Sequence, residues 1–227
     1  MRIGVFGATG AIGGQIVVEA VARGHQITAF TRDPARFGPT ADSVTWQVAD
    51  ALDPASIASA IDGLDVVVSA INAGRDVPET IANADVFPRA ASAMIEALTS
   101  RPDLRVIVMG GAGSLEVAPG VTVVEAEGFA ENLPKALGVP VEYVNPVRAG
   151  VEALNRYRTS NRNWTYLSPS AGRIEPGERT GRFRIGGDQL LVRADGTSDI
   201  SLEDLAMAVV DEAETARHVK RRFTVGY

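Results

Sequence analysis

The stretch VFGATGAIGG, residues 5–14, sets four glycines directly behind an apolar run. A cluster of that kind serves as a flexible tail, a tight turn, or a place where the backbone comes close to a ligand. The neighbours decide. Before it, RIGVF at Arg2–Phe6 is a short β-branched run, and after it Ala11–Ala22 is a proline-free helical pattern. Glycines between a strand and a helix are not a tail. In that setting Gly7 makes the tight turn off the strand, Gly10 lets backbone amides approach a pyrophosphate, and Gly13 lets the helix pack close to the sheet. The unpaired amides of Ala11 and Ile12, with the partial positive charge of the helix N-terminus, suit a diphosphate, and Thr9 adds a hydroxyl donor. The same glycines would also serve a turn needed for packing alone.

The rest of the chain repeats the unit. RIGVFG, 11–22, QITAFT, VTWQVA, 54–61, LDVVVSA, 85–98, LRVIVMGG and 145–158 alternate short β-branched runs with helical patterns. Strands joined by helices form a parallel sheet with helices on both faces, and DVVVSA and RVIVMG are apolar enough to be buried on both sides. The expected fold class is α/β, a Rossmann-like doubly wound parallel sheet. Gly24 fits a helix C-cap, and Asn145 with Pro146 fits an N-cap followed by a first-turn proline. After WTYLSPSAG the texture changes, and 172–201 reads as a loop with a small hairpin turning at Gly186 and Gly187, near the substrate side. SLED at Ser201 and Asp204 reads as a capping box for a helix with Leu202, Leu205, Ala206 and Val209 on one face, and RRFTVGY as a closing strand. With no repeat and no long linker, 1–227 is a single domain with a C-terminal hairpin and helix appendage.

Composition agrees with one globular domain: of 227 residues, 45% are hydrophobic and 22% charged. The absence of cysteine excludes disulfides, thiolate metal sites and cysteine nucleophiles, and favours a cytoplasmic protein. Nothing reads as a signal peptide, and no segment approaches the roughly 18 apolar residues of a membrane span. A formal charge of −6 and a pI near 5.0 argue against a nucleic-acid partner. The one dense basic run, Lys220, Arg221 and Arg222, reads as a solvated shoulder before the last strand. His25 and His218 lack ligand spacing, so no metal is expected. Nothing here fixes an oligomeric state.

The end of the second strand bears on which dinucleotide. An acidic residue there holds the ribose 2′-hydroxyl of NAD, whereas arginine suits the 2′-phosphate of NADP. This chain has AFTRDPARF, with Arg32 at the decisive place, Arg36 four residues on, and Asp33 one position late, as a turn or capping residue. The expected cofactor is NADP(H) in preference to NAD(H).

GATGAIGG with GHQITAFTRDPAR, VADALD, VVVSAINAG, VMGGAGSLEVAPG, WTYLSPSA, GGDQLLV and ISLEDLA together resemble the atypical branch of the short-chain dehydrogenase/reductases that contains NADH-flavin reductases and biliverdin/flavin reductases. The resemblance covers nearly the whole chain. It implies that Asp50 with Ala51 flanks the adenine, that Ala70, Ile71 and Asn72 line the adenosine and ribose, and that Gly110 and Gly111 through Ser114 approach the nicotinamide. Pro169, Ser170 and Ala171 would close on the nicotinamide from the other side. Each of these segments is also open to ordinary turn chemistry.

One departure is negative. Most active members of the superfamily use a tyrosine with a lysine four positions on, the lysine lowering the phenol pKa. The two lysines here are Lys135 and Lys220, and Tyr143, Tyr157 and Tyr166 are followed at that distance by Val147, Asn161 and Ser170. Reduction of an ordinary ketone, or epimerisation, needs that proton; a flavin or quinone can take one from water, so the protein mainly aligns rings. Ser114 either polarises a carbonyl or flavin edge or is a turn hydroxyl, and Tyr143 is the alternative acid. The expectation is an oxidoreductase passing hydride from NADPH to a small conjugated acceptor, with a non-catalytic NAD(P)(H) sensor acting on a protein partner as the alternative.

Overall fold

A computed structural model describes residues 1–227. β1 (Arg2–Phe6) leads through the glycine turn into α1 (Ala11–Ala22), followed by β2 (Gln26–Thr31), β3 (Val44–Val48), α2 (Pro54–Ala60), β4 (Val66–Ser69), α3 (Val77–Ala82), α4 (Val86–Ala97) and β5 (Arg105–Met109). The second half contains β6 (Glu116–Ala118), β7 (Val121–Thr122), α5 (Phe129–Leu137), α6 (Val144–Arg158), β8 (Trp164–Pro169), β9 (Arg184–Gly186), α7 (Leu202–Glu214) and β10 (Arg221–Gly226).

Eight strands form one sheet in the order β3-β2-β1-β4-β5-β8-β10-β9, parallel except for the β10–β9 pair. Because strand side chains alternate, neighbours in sequence enter different cores. Val5, Ile107 and Leu167 pack under α1 and α7, whereas Phe6, Val108 and Tyr166 pack under α2, α4 and α6. The order reverses between β1 and β4, and open parallel sheets bind ligands at such a switch point.

Local signals mostly act as the sequence suggests. Gly24, at φ 80, closes α1: its amide reaches Val21 O at 2.9 Å and that of His25 reaches Ala20 O at 3.1 Å, a Schellman pair. Other signals act differently. α6 opens at Val144, before the expected Asn145 cap, because a 3-10 turn at Val141–Tyr143 runs straight into it. The expected antiparallel pair is present as β9 on β10, but Gly186 lies opposite Thr224 rather than turning the chain back on itself. Ser201 caps α7, accepting from Asp204 N at 3.1 Å, yet the box does not close. The Asp204 carboxylate instead accepts from Thr180 Oγ1, from Gly181 N at 2.9 Å and from Tyr227 Oη at 2.8 Å, fastening 172–201 and the C-terminus to α7. Lys220 and Arg221 are exposed as expected, but Arg222 is buried, because alternation in β10 turns it inward.

Burial alone would raise the Asp204 pKa, but the bonds from Thr180, Gly181 and Tyr227 outweigh it and hold the group below its ordinary value. A folded-state pKa below the unfolded value, near 3.9, stabilises the fold above that pH, and the contribution disappears as pH falls through the folded pKa. Asp204→Asn is therefore expected to cost about 1–3 kcal/mol in urea unfolding at pH 7, and less as the pH falls below about 4. An equal cost at pH 7 and pH 3 would contradict this.

Candidate functional site

The glycine turn lies at the switch point. Gly7 has φ 80, and a Cβ there would stand 2.2 Å from Ala70 O at the end of β4. A Cβ on Gly13 would stand 2.2 Å from Gly7 O, so α1 packs against the turn with no room for a side chain. Gly10 differs, with a Cβ meeting only Gly7 O at 3.3 Å. Packing thus accounts for Gly7 and Gly13 but leaves Gly10 unexplained. Gly10 is the N-cap of α1, no side chain caps that end, and the first turn holds no acidic residue. A helix terminus with free amides and no acidic residue in its first turn fits an anion.

Two arginines stand beside this turn. Asp33 caps a 3-10 turn at Pro34–Arg36, accepting from Ala35 N at 2.9 Å, and the turn carries Arg36 back toward the glycines. Arg36 Nη2 lies 3.5 Å from Thr9 O, while Arg32 is exposed at the end of β2. Asp50 is turned into its own loop, accepting from Leu52 N at 2.9 Å, with Ala51 beside it. Ala70 and Ile71 follow β4 against Gly7. Asn72 is exposed but spends its side chain locally, with Nδ2 on Gly74 O at 2.9 Å and Oδ1 accepting from Ala73 N at 3.0 Å.

The strands beyond β4 supply the other wall. Gly110 carries no side chain because the Tyr166 ring lies there, 1.9 Å from a Cβ, whereas a Cβ on Gly111 would meet nothing within 4 Å. Ser114 ends a 3-10 turn and is buried. Its Oγ accepts from Arg222 Nη1 at 2.9 Å, and its carbonyl oxygen accepts from the same nitrogen. Neither expectation for Ser114 included that partner. Tyr143 precedes α6 half-buried, and burial pushes its phenol pKa up, away from that of a ready acid. Four residues on, Val147 packs its Cγ1 where a Gly113 Cβ would lie, so the helix position of a dyad lysine is filled by a packed valine. Pro169, Ser170 and Ala171 leave β8 beside β10, with Ser170 N on Val225 O at 3.1 Å and Ala171 N on Ser198 Oγ at 3.0 Å. Each histidine meets a carboxylate, His25 that of Glu214 and His218 that of Glu212.

The chain belongs to the NAD(P)H-binding family, whose pattern matches residues 7–216. It is similar over its length to the uncharacterized protein YwnB of Bacillus subtilis, 33% identical over 226 residues, 99% of this chain and 98% of that one. A solved structure from Burkholderia pseudomallei, described as a "putative exported protein", is 40% identical, covers 100% of both chains and has a TM-score of 0.83. Another, from Streptococcus pneumoniae and described as a "putative NADH-flavin reductase", is 28% identical, covers 100% of this chain and 99% of that one, with a TM-score of 0.79. The expected kinship with NAD(P)H-binding proteins is borne out by that family match. No helix is long and apolar enough to cross a membrane.

The three glycines should separate in a stability assay. Gly7→Ala and Gly13→Ala each force a side chain into backbone, and are expected to lower thermal stability by several kcal/mol or to prevent folding. Gly10→Ala should cost about 1 kcal/mol or less. Similar unfolding midpoints for all three would contradict the packing roles.

Proposed function

We propose that the protein is an NADPH-dependent reductase that passes hydride to a flavin, a quinone or a similar conjugated acceptor without a tyrosine-lysine dyad. The observation that carries the reading is the N-terminus of α1, uncapped by any side chain and free of acidic residues, behind a glycine whose missing side chain packing does not require. On this reading Gly7 shapes the turn, the backbone of Thr9, Gly10, Ala11, Ile12 and Gly13 holds the diphosphate, and Arg32 and Arg36 hold the 2′-phosphate. Asp50 and Ala51 flank the adenine, Ala70, Ile71 and the Asn72 backbone flank the ribose, and Gly110, Gly111, Pro169, Ser170 and Ala171 border the nicotinamide.

When bound, the reduced nicotinamide supplies the hydride; the chain's task is to align an acceptor with it and exclude side reactions. Ser114 and Tyr143 are the hydroxyls assigned to the acceptor side. Because Arg222 donates to the Ser114 oxygen, that hydroxyl keeps its own proton to donate. Tyr143, with its raised pKa and Val147 in the lysine position, stays protonated and serves as a donor at most. An acceptor that draws its proton from water suits these residues. The absence of cysteine supports a cytoplasmic location.

Stopped-flow oxidation of NADPH against flavins, quinones, tetrapyrroles and simple carbonyls tests the reading. Turnover is expected with a conjugated acceptor, little changed by Tyr143→Phe and lowered about tenfold by Ser114→Ala if one bond of about 1.4 kcal/mol exists only in the transition state. NADPH left unoxidised throughout would replace the enzyme by the sensor, and a collapse in Tyr143→Phe would restore a tyrosine acid.

Cofactor choice is separately measurable. Arg32→Ala is expected to weaken NADPH binding by about 1.5–3 kcal/mol and leave NADH nearly unchanged. Equal NADH and NADPH affinities in the parent protein would refute the preference. Gly10→Val should abolish the binding of both with the fold retained.

A further inference from the structure

One polar cluster is used only in part by that reading, which takes Ser170 and, through Ser114, Arg222, but neither Ser168 nor Thr224. Ser168 lies opposite Thr224 across the β8–β10 pair, on the face that Tyr166 turns toward α6. Arg222 is two residues before Thr224 on the same face, and Ser170 is two residues after Ser168, 3.5 Å from where a Gly226 Cβ would stand. Ser168 and Thr224 are 0% exposed, Ser170 3% and the Arg222 side chain 3%. None of the three hydroxyls has a hydrogen-bond partner. Native folds rarely leave one such group unpaired, and three on neighbouring strand positions call for acceptor atoms that the chain does not supply.

A segment roofs this face. Leu191 stands over Gly186, beside Thr224, and its carbonyl accepts from Ser198 Oγ at 2.7 Å. The outer end of the roof is Asp188, whose half-exposed carboxylate accepts from Arg222 Nε at 2.9 Å and from Nη2. Two backbone bonds, Glu116 N to Asp188 O at 2.8 Å and Leu190 N to Glu116 O at 2.9 Å, complete its attachment. Arg222 is satisfied by Asp188 and by Ser114 O and Oγ, so the shortfall lies with the three hydroxyls, and the Asp188 carboxylate is the only anionic group on the guanidinium.

We propose that this face of β8 and β10 binds an oxyanion, a carboxylate or phosphate carried by the acceptor, which takes the place of Asp188 on Arg222 and gives Ser168, Ser170 and Thr224 the acceptor atoms they lack. The proposal rests on the reading that the segment after β8 borders the acceptor. Asp188 is then a built-in occupant that neutralises Arg222 in the free chain, and the exposed end of the roof is where the site opens. The substrate class narrows accordingly: a conjugated acceptor with an acidic substituent is preferred to its neutral analogue.

The test uses binding alone, by calorimetry of the full chain without cofactor, with benzoate and inorganic phosphate as probes. Asp188→Asn keeps the shape and removes the competing charge, so it should tighten binding of at least one anion about tenfold. Adding Ser168→Ala and Thr224→Val to that variant should reverse the gain, and Arg222→Met should abolish binding; if Arg222→Met does not fold, the hydroxyl variants decide. A response to benzoate supports a carboxylate on the acceptor, and one confined to phosphate supports a phosphate group in its place. The proposal is also overturned if Asp188→Asn binds both anions no better than the parent, or if loss of the hydroxyls leaves its affinity unchanged. NADPH oxidation does not enter the measurement, so failure of the reductase reading and failure of this site remain distinguishable.

Discussion

The structure depends on one close approach. Where β1 turns into α1, Gly13 lies against the carbonyl of Gly7, and Gly7 lies against the carbonyl of Ala70, each with a hypothetical Cβ at 2.2 Å from oxygen. Strand β1, helix α1 and the end of β4 therefore meet backbone to backbone. That contact fixes where the N-terminus of α1 stands, and the helix cannot slide without opening it. The same constraint aims the free amides of α1 at the crevice where the strand order reverses. Packing and the proposed diphosphate site thus share two of their glycines, while Gly10 separates them.

The second half is held to the first by buried charge. Glu19 on α1 accepts from Arg23 at 2.7 Å and from Arg179 at 2.8 and 2.9 Å, drawing the segment after β8 onto the helix that begins at the glycine turn. Asp204 binds the same segment to α7, and Arg222 binds its far end to the loop after β5. What looks in sequence like a loose insertion is thus pinned at three places. Removing one partner from such pairs costs more than the pairs contribute, because it leaves a charge or donor buried and unpaired.

Much of this was legible in the chain because it is local. The alternation of RIGVF, QITAFT, DVVVSA and RVIVM with helical patterns is a property of neighbouring residues, and it gave the parallel sheet directly. Gly24 and Asp33 cap what stands next to them. Four short elements were not legible: β6 and β7 have three and two residues and so no period, α3 has six, and α5 contains Pro134, which weakens the helical pattern. Arg222 was misread for a different reason. A basic triplet suggests solvent, but alternation along RRFTVGY places Arg222 and Thr224 on one face, and whether that face is covered depends on Asp188 and Leu191, more than 30 residues earlier. Ser114 was noticed without its partner for the same non-local reason.

The central claim is that the turn before α1 holds the diphosphate of the dinucleotide. The most direct measurement is the amide chemical-shift response of the isotope-labelled chain during titration with NADP+. The account predicts the largest shifts at residues 9–13, with smaller ones near Arg36 and at 70–72. Shifts that leave the glycine turn silent and gather elsewhere, for instance at the depression lined by Ser92 of α4, Arg156 of α6, and Thr99 and Arg162 just beyond those helices, would contradict it.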